Sequence, residues 1–181
     1  MDRRQRKSRD SIFKAFIELL SSQSYNQITV GDIIELADVG RATFYAHFET
    51  KDFLLKELCE ELFDHIFCAE MGVKGKSVFE CDAPDSVFLH LYQHLQKNDN
   101  RILTLLSCKS NELFLRYFKE NLTTLVKSHL YLFNRKKEFS VPEEYLVNHI
   151  ASTFVESVKW WIDNGMNESP ETMTKYFFDV M

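Results

Sequence analysis

Apolar positions along this chain recur at spacings of three and four, the period of helices buried on one face. Ile12, Phe13, Phe16, Leu19 and Leu20 share such a face and predict a first helix over residues 4–22. A polar break from Ser24 to Gln27 follows. Thr29 is then placed to cap a short helix from Val30 to Ala37, its side-chain oxygen accepting from the backbone N–H of Gly31 or Asp32. Asp38-Val39-Gly40 reads as a tight turn into a second short helix, about Arg41 to Phe48. Thr50 can cap a longer helix from Lys51 to about Phe67, with Leu54, Leu58, Leu62 and Ile66 at four-residue spacing. Residues 71–82 contain Gly72 and Gly75, show no helical period and read as a linker. Beyond it the pattern predicts a helix opening at Asp82-Ala83-Pro84 and running to Lys97, a short one over 101–106, and long ones over 111–133 and 142–164. A charged loop separates the two long helices at 134–140. Gly165 is expected to end the second of them in the left-handed conformation, and Ser169-Pro170 opens the last helix. The expectation is an all-α chain of about nine helices.

Composition supports that picture. Only 5 Gly and 3 Pro in 181 residues leave few turns, and 16 Phe supply a large apolar core. No run of about 18 apolar residues is present, so no membrane span is expected. The opening MDRRQRKSRD is followed by an amphipathic stretch, unlike a secretory signal, and the expected location is cytoplasmic. Cys59, Cys68, Cys81 and Cys108 form no C-x-x-C pair and read as reduced thiols. The net charge of −5 is unevenly spread: residues 1–51 hold 8 Lys and Arg against 7 Asp and Glu, whereas 52–181 hold 14 against 20. Arg3, Arg4, Arg6, Lys7 and Arg9 concentrate positive charge at the N-terminus, as a DNA-binding head on an acidic body would. Enzyme classes fare poorly, because the chain has no G-x-S-x-G, no glycine-rich phosphate loop and no H-E-x-x-H.

The informative segment is ITVGDIIELADVGRATFYAHFETKDFLL, residues 28–55. Two short helices joined by a three-residue turn have the size of a helix-turn-helix. On a wheel of the second helix, Phe44 and Phe48 point into a three-helix core. Ala42, Thr43 and Ala46 point away, with Tyr45 and His47 on opposite flanks. Small residues at the leading edge allow close approach to a major groove, and the flanking phenol and imidazole can reach phosphates on its two walls. Arg41 is the one long donor able to reach a guanine edge. Lys51 stands at the start of the following helix, where its charge and the helix dipole both favour phosphate. With Arg4, Thr29 and Val30 these residues make up the candidate DNA-binding set.

Ile28-Thr29-Val30, Asp32-Ile33, Ala37, Val39, Arg41-Ala42-Thr43-Phe44-Tyr45, His47-Phe48 and Lys51 together resemble the signature of the TetR family of transcriptional regulators. The departures are Asp38 and Gly40, where the family often has Gly and Ser; at Gly40 a capping hydroxyl is lost. The stretch 150–173 is also similar to a subgroup of TetR-like regulators related to activators of dihydroxyacetone kinase operons. Some members of that subgroup act as coactivators without binding DNA, a role the intact motif argues against. The resemblance implies a three-helix DNA-binding head, residues 1–50, on a helical body, residues 51–181, that binds a ligand and dimerises. It implies a ligand-responsive regulator, most often a repressor, bound to a palindromic double-stranded DNA operator as a homodimer. The alternative is a helical dimeric coactivator or interaction protein without DNA affinity of its own.

For the body, Phe88, Tyr92, Phe114, Tyr117, Phe118 and Phe154 are the candidate lining of a pocket for a small apolar or aromatic effector. The helix from Pro142 to Asn164 is apolar on more than one side, so one stripe can pack inside the protomer while another meets a partner. Phe154, Val158, Trp160, Trp161, Tyr176 and Phe177 are the candidate dimer interface. His90 and His94 stand four apart and can share a face, but no acidic or Cys partner accompanies them. Neither a metal site nor a cofactor is expected.

Overall fold

The computed structural model describes residues 3–70, 86–97, 112–133 and 141–181, and among these the chain is helical, with no strand. The first helix, α1, spans Arg3–Ser22 and buries Ile12, Phe13, Ala15, Phe16, Ile17 and Leu20. Its polar first turns are helical from Arg3 onward, so the basic N-terminal run is part of a helix. Helix α2, Val30–Leu36, begins with a reciprocal cap. Thr29 Oγ1 accepts from the Asp32 N–H at 3.2 Å, and the Thr29 N–H donates to the Asp32 carboxylate at 2.8 Å. Asp38 takes the left-handed conformation at φ 52° and turns the chain into α3, Arg41–His47. Gly40 caps α3 without any side-chain hydrogen bond. The first three helices pack on one another around Phe13, Phe16, Ile33, Phe44 and Phe48.

Helix α4, Lys51–Glu70, is capped by Thr50, whose hydroxyl accepts from the Phe53 N–H at 3.0 Å. Its buried face is broad: Leu54, Leu55, Leu58, Cys59, Leu62, Phe63 and Ile66 are all at most 1% exposed. A helix that touches both the head and the body needs apolar residues on more than one stripe. In the body, α4 packs on α5, Val87–Lys97, and on α6, Glu112–Ser128. Helix α7, Glu143–Asp163, packs on α6, and α8, Pro170–Asp179, packs on both α5 and α7.

The sixth helix ends sooner than its apolar period predicts. The His129 N–H is shared between the Leu125 and Val126 carbonyls, and a 3₁₀ turn over Leu130–Leu132 replaces the last turn. Gly165 adopts φ 70° after α7, as its position requires, and Ser169 caps α8 by accepting from the Thr172 N–H at 3.2 Å. The Trp161 indole closes this corner by donating to the Glu168 carbonyl at 2.9 Å. The linker expected at 71–82, the start of the helix expected at Asp82-Ala83-Pro84, the short helix at 101–106 and the charged loop at 134–140 lie outside the described residues.

Candidate DNA-binding site

The site is the outer face of α3. Phe44 and Phe48 are buried beneath it, Phe48 edge-on against Phe13 with ring centres 5.4 Å apart. That anchor fixes the rotation of a helix only seven residues long, too short to be stable alone. The rotation turns Arg41, Ala42, Tyr45 and Ala46 out to solvent and leaves Thr43 half-buried at the edge. Tyr45 is 49% exposed, its ring held edge-on by Phe44 at 5.4 Å. A small-residue strip flanked by one guanidinium and one phenol is therefore presented to any ligand as wide as a groove. Arg4 is exposed on α1 with Arg3, Arg6 and Lys7. Thr29 is exposed and held in its cap; Val30 is half-buried against the core.

Two members of the expected set, His47 and Lys51, and Arg9 of the basic N-terminus are bound to the protein itself. His47 Nε2 lies 2.7 Å from Ser8 Oγ, which joins the end of α3 to α1. Burial first, and the Arg9 charge second, hold the His47 pKa below the ordinary histidine value, so the ring is favoured neutral. Lys51, expected to point at phosphate, has its ammonium turned inward. It donates to the Tyr25 and Ile28 carbonyls, at 2.7 Å each, and sits 4.1 Å from the centre of the Tyr25 ring. Burial lowers its pKa from the usual lysine value, with Asp52 and Asp32 pulling the other way. Two of its three N–H donors are thus directed to the carbonyls of buried residues: Ile28 is 1% exposed and Tyr25 8%. Arg9 likewise leaves the basic N-terminal surface. Its guanidinium bridges Glu57 at 3.0 Å and Glu61 at 3.1 Å on α4, and lies 4.5 Å over the Phe13 ring.

These ties were not read from the sequence. Tyr25 donates to the Asp52 carboxylate, a third hydrogen bond between the α1–α2 loop and α4. Burial, then that bond, raises the Tyr25 pKa. The partners lie 27 positions apart for Tyr25 and Asp52, and 48 and 52 for Arg9 and its glutamates, beyond the reach of any helical period. The one local signal was Arg9 itself, a basic residue one position from Asp10 and on the side of α1 that carries Phe13 and Phe16.

In the body, the six pocket candidates divide. Phe88, Tyr92 and Phe154 are fully buried, and Phe154 meets both of the others with tilted rings, Tyr92 at 4.6 Å and Phe88 at 5.9 Å, with the Tyr92 hydroxyl bonded to Ser157. Phe114 and Phe118 join Phe63 of α4 in a separate contact, Phe63 and Phe118 meeting at 5.3 Å. Tyr117 is half-buried under the Arg116 guanidinium. The interface candidates divide more sharply, and four of the six need correcting. Phe154, Val158, Trp161 and Phe177 are 0–1% exposed within a single chain, so they are protomer core and cannot touch a partner. The physical reason is the position of α8: it covers that stripe of α7, Phe177 meeting Phe154 at 5.2 Å. Trp160 and Tyr176 remain at the surface, 48% and 44% exposed.

Comparison with known proteins agrees with this geometry. Residues 12–58 match the family model described as bacterial regulatory proteins of the tetR family, and residues 82–181 match the one described as a transcriptional regulator C-terminal region of TetR type. A solved TetR transcriptional regulator from Streptococcus agalactiae 2603V superposes with a TM-score of 0.74 at 35% identity, covering 99% of this chain and 96% of that one. The HTH-type transcriptional regulator YxbF of Bacillus subtilis (strain 168) is 21% identical over the whole chain, which spans only 46% of that protein. The dhaKLM operon transcriptional activator DhaS of Lactococcus lactis subsp. lactis (strain IL1403) is 42% identical over 52 residues, 29% of this chain and 28% of that one. The chain thus matches about half the length, or less, of these curated relatives. With both halves matched by family models and α1–α3 folded as a helix-turn-helix head, this chain belongs to the TetR family of transcriptional regulators.

Proposed function

We propose that this chain is a ligand-responsive transcriptional repressor that binds a palindromic double-stranded DNA operator as a homodimer, with α3 lying in the major groove. The observation that carries the reading is the split of α3: Phe44 and Phe48 buried, Arg41, Ala42, Tyr45 and Ala46 exposed on the opposite face. Exposed alanines favour any helix by propensity, but beside an arginine and a tyrosine they also leave the room a groove-reading helix needs where the bases come closest. Residues 1–50 are taken as the head and 51–181 as the body, with α4 common to both. The reading involves no chemical step on a substrate, and the protein is placed in the cytoplasm with its operator.

The dimer is assigned to the exposed faces of α7 and α8, where Trp160 and Tyr176 stand uncovered on one chain together with Tyr145 and Val180. Two-fold pairing there sets two recognition helices about 34–36 Å apart, one turn of DNA. A small apolar or aromatic effector is assigned to the aromatic core of the body. Because Phe88, Tyr92 and Phe154 already touch, such a ligand has to part them, and the parting is what would move α5 and with it α4.

The test is a mobility shift with the protein's own upstream DNA. Roughly 6–10 phosphate contacts predict an affinity loss of about 10³–10⁵ between about 50 and 200 mM salt. Arg41→Ala is expected to cost about 1–3 kcal/mol and to relax preference at one base position, whereas loss of a phosphate contact weakens all sequences alike. A flat salt dependence, or no shift at all with a dimer intact, would favour the second reading of a coactivator without DNA affinity of its own. That reading has in its favour the similarity of the N-terminal segment to a protein named as an operon activator.

A further inference from the structure

Three histidines meet between α4 and α5. His65 projects from α4; His90 and His94 stand one turn apart on α5. Their rings lie with centres 4.8 Å (His90–His94), 4.8 Å (His65–His94) and 5.2 Å (His65–His90) apart, and one ring nitrogen from each falls within 4.8 Å of the other two. The Nε2 atoms of His90 and His94 are 3.1 Å apart. His90 and His94 are 2% and 4% exposed, while His65 is half-buried and forms the open side of the cluster. Among the described residues this is the one group of three or more His, Cys, Asp or Glu side chains spaced for an ion.

We propose that His65, His90 and His94 form a binding site for a divalent transition metal ion, zinc in the first instance, that ties α4 to α5. The site goes beyond the DNA-binding reading and does not depend on it. Tetrahedral zinc with Zn–N bonds of about 2.0–2.1 Å sets its nitrogens about 3.3 Å apart, close to the His90–His94 spacing. Two histidines four apart on one helical face are a recurrent zinc-binding pair. The His65 nitrogen lies within 4.8 Å of the other two, and bringing it to ligand spacing falls to His65, the half-buried ring of the three. Imidazole binds a metal ion through a ring nitrogen that carries no proton. Three imidazoles select zinc, copper or nickel over magnesium or calcium, which prefer oxygen. The fourth position is left to water or an exchangeable ligand. The sequence offered only the His90–His94 pair and, with no third partner in view, no metal was expected; the third ligand comes from another helix, 25 positions upstream of His90.

The test uses the full chain stripped with chelator. Cobalt(II), a coloured substitute for zinc, is titrated in and its visible absorption followed; zinc affinity is then measured by competition. The expected result is one equivalent per protomer, with absorption of tetrahedral intensity. His65→Gln, at the half-exposed position where folding is least at risk, should weaken binding by more than about 100-fold, beyond the loss typical of an outer-shell change. His149→Gln, on the outer side of α7, should leave it unchanged. As a second readout, zinc at about 100 times its Kd should raise the wild-type melting temperature by about 5–10 °C and that of His65→Gln hardly at all. Wild-type protein that takes up no cobalt at tens of micromolar overturns the proposal, and the cluster is then a neutral, hydrogen-bonded core. Equal affinity in His65→Gln, or a thiolate charge-transfer band that puts the metal on cysteine, overturns it as well.

Discussion

Replacing Lys51 by Met separates two roles that the sequence alone runs together. Methionine keeps the length and apolar stem that cover the Tyr25 ring but removes the ammonium. Two hydrogen bonds of 2.7 Å, to the Tyr25 and Ile28 carbonyls, disappear with it, and so does the cation held 4.1 Å from the ring centre. A hydrogen bond to a charged donor is worth about 1.5–3 kcal/mol when buried, and a cation over an aromatic face about 0.5–1 kcal/mol at a partly exposed site. Lys51 is only half-buried and its desolvation already opposes the charge, so these figures do not add in full. A net loss of about 2 kcal/mol is the reasonable expectation, which for a chain of this size lowers the melting temperature by about 4–8 °C. The assay is a thermal melt followed by circular dichroism, paired with operator affinity measured across a salt series. If Lys51 holds the head together, stability falls and the slope of log affinity against log salt stays as in the wild type. If instead Lys51→Met melts with the wild type while the salt slope of the dimer drops by about 1.8, about 0.9 for each protomer, the lysine is a phosphate contact and the argument from its inward geometry is refuted.

The turn before α3 gives a second prediction. Asp38 sits at φ 52°, where Asp38→Gly should relieve strain and gain up to about 1 kcal/mol, less what glycine adds to the freedom of the unfolded chain; Gly40→Ser should add a few tenths through a cap, since a Cβ there meets only Thr43 Oγ1 at 3.9 Å. Both are read from melting curves, and a loss of stability in either sinks the reading of this turn. His47 predicts acid sensitivity: its folded pKa lies below the ordinary value, so its contribution is present above about pH 6.5 and is lost as pH falls through the lowered pKa. His47→Gln should flatten that part of the stability profile, and an NMR titration placing His47 above the ordinary value would contradict it. For the dimer, Trp160→Glu with Tyr176→Glu should yield a folded monomer by light scattering, because both side chains are at the surface of the protomer. Trp161→Glu or Phe177→Glu should unfold the body instead; a dimer that survives the first pair of changes has its interface elsewhere.

The fold was legible wherever the information is local. Helix period, the Thr29 and Thr50 caps, Gly165 and Pro170 each act within a few residues, and each element starts or stops where those signals stand. What periodicity cannot say is which partner covers an apolar stripe. Phe154, Val158 and Trp161 have the same spacing whether they face α8 or a second chain, and only the placement of α8 decides for the protomer core. Trp160 differs from Trp161 by a single step of about 100° around the helix, yet one is 48% exposed and the other buried. The early end of α6 is of the same kind: nothing in its apolar pattern marks the 3₁₀ turn after Ser128.

The site was legible as a surface and illegible as a mechanism. Small residues on α3 and aromatic anchors beneath them follow from one wheel, so the exposed face of α3 could be drawn in advance. The ties that position it could not, because each joins residues from different elements. Apart from the Ser8–His47 contact between α1 and α3, they share one feature: all lead to α4. Lys51 and Asp52 bind the α1–α2 loop at its first turn, Glu57 and Glu61 hold Arg9 of α1, and His65 faces α5 of the body one turn further on. From Lys51 to His65 is about 21 Å of continuous helix, stiff on that scale. A displacement of α4 at its body end would therefore pull on α1 through the ion pairs and the lysine, and on His47 and the end of α3 through Ser8. The boundary between a head of residues 1–50 and a body of residues 51–181 is then a division of sequence and not of mechanics. On the proposed function, an effector acting on the aromatic core or on the histidine cluster would reach α3 through α4, provided α4 has two arrangements that the effector binds unequally.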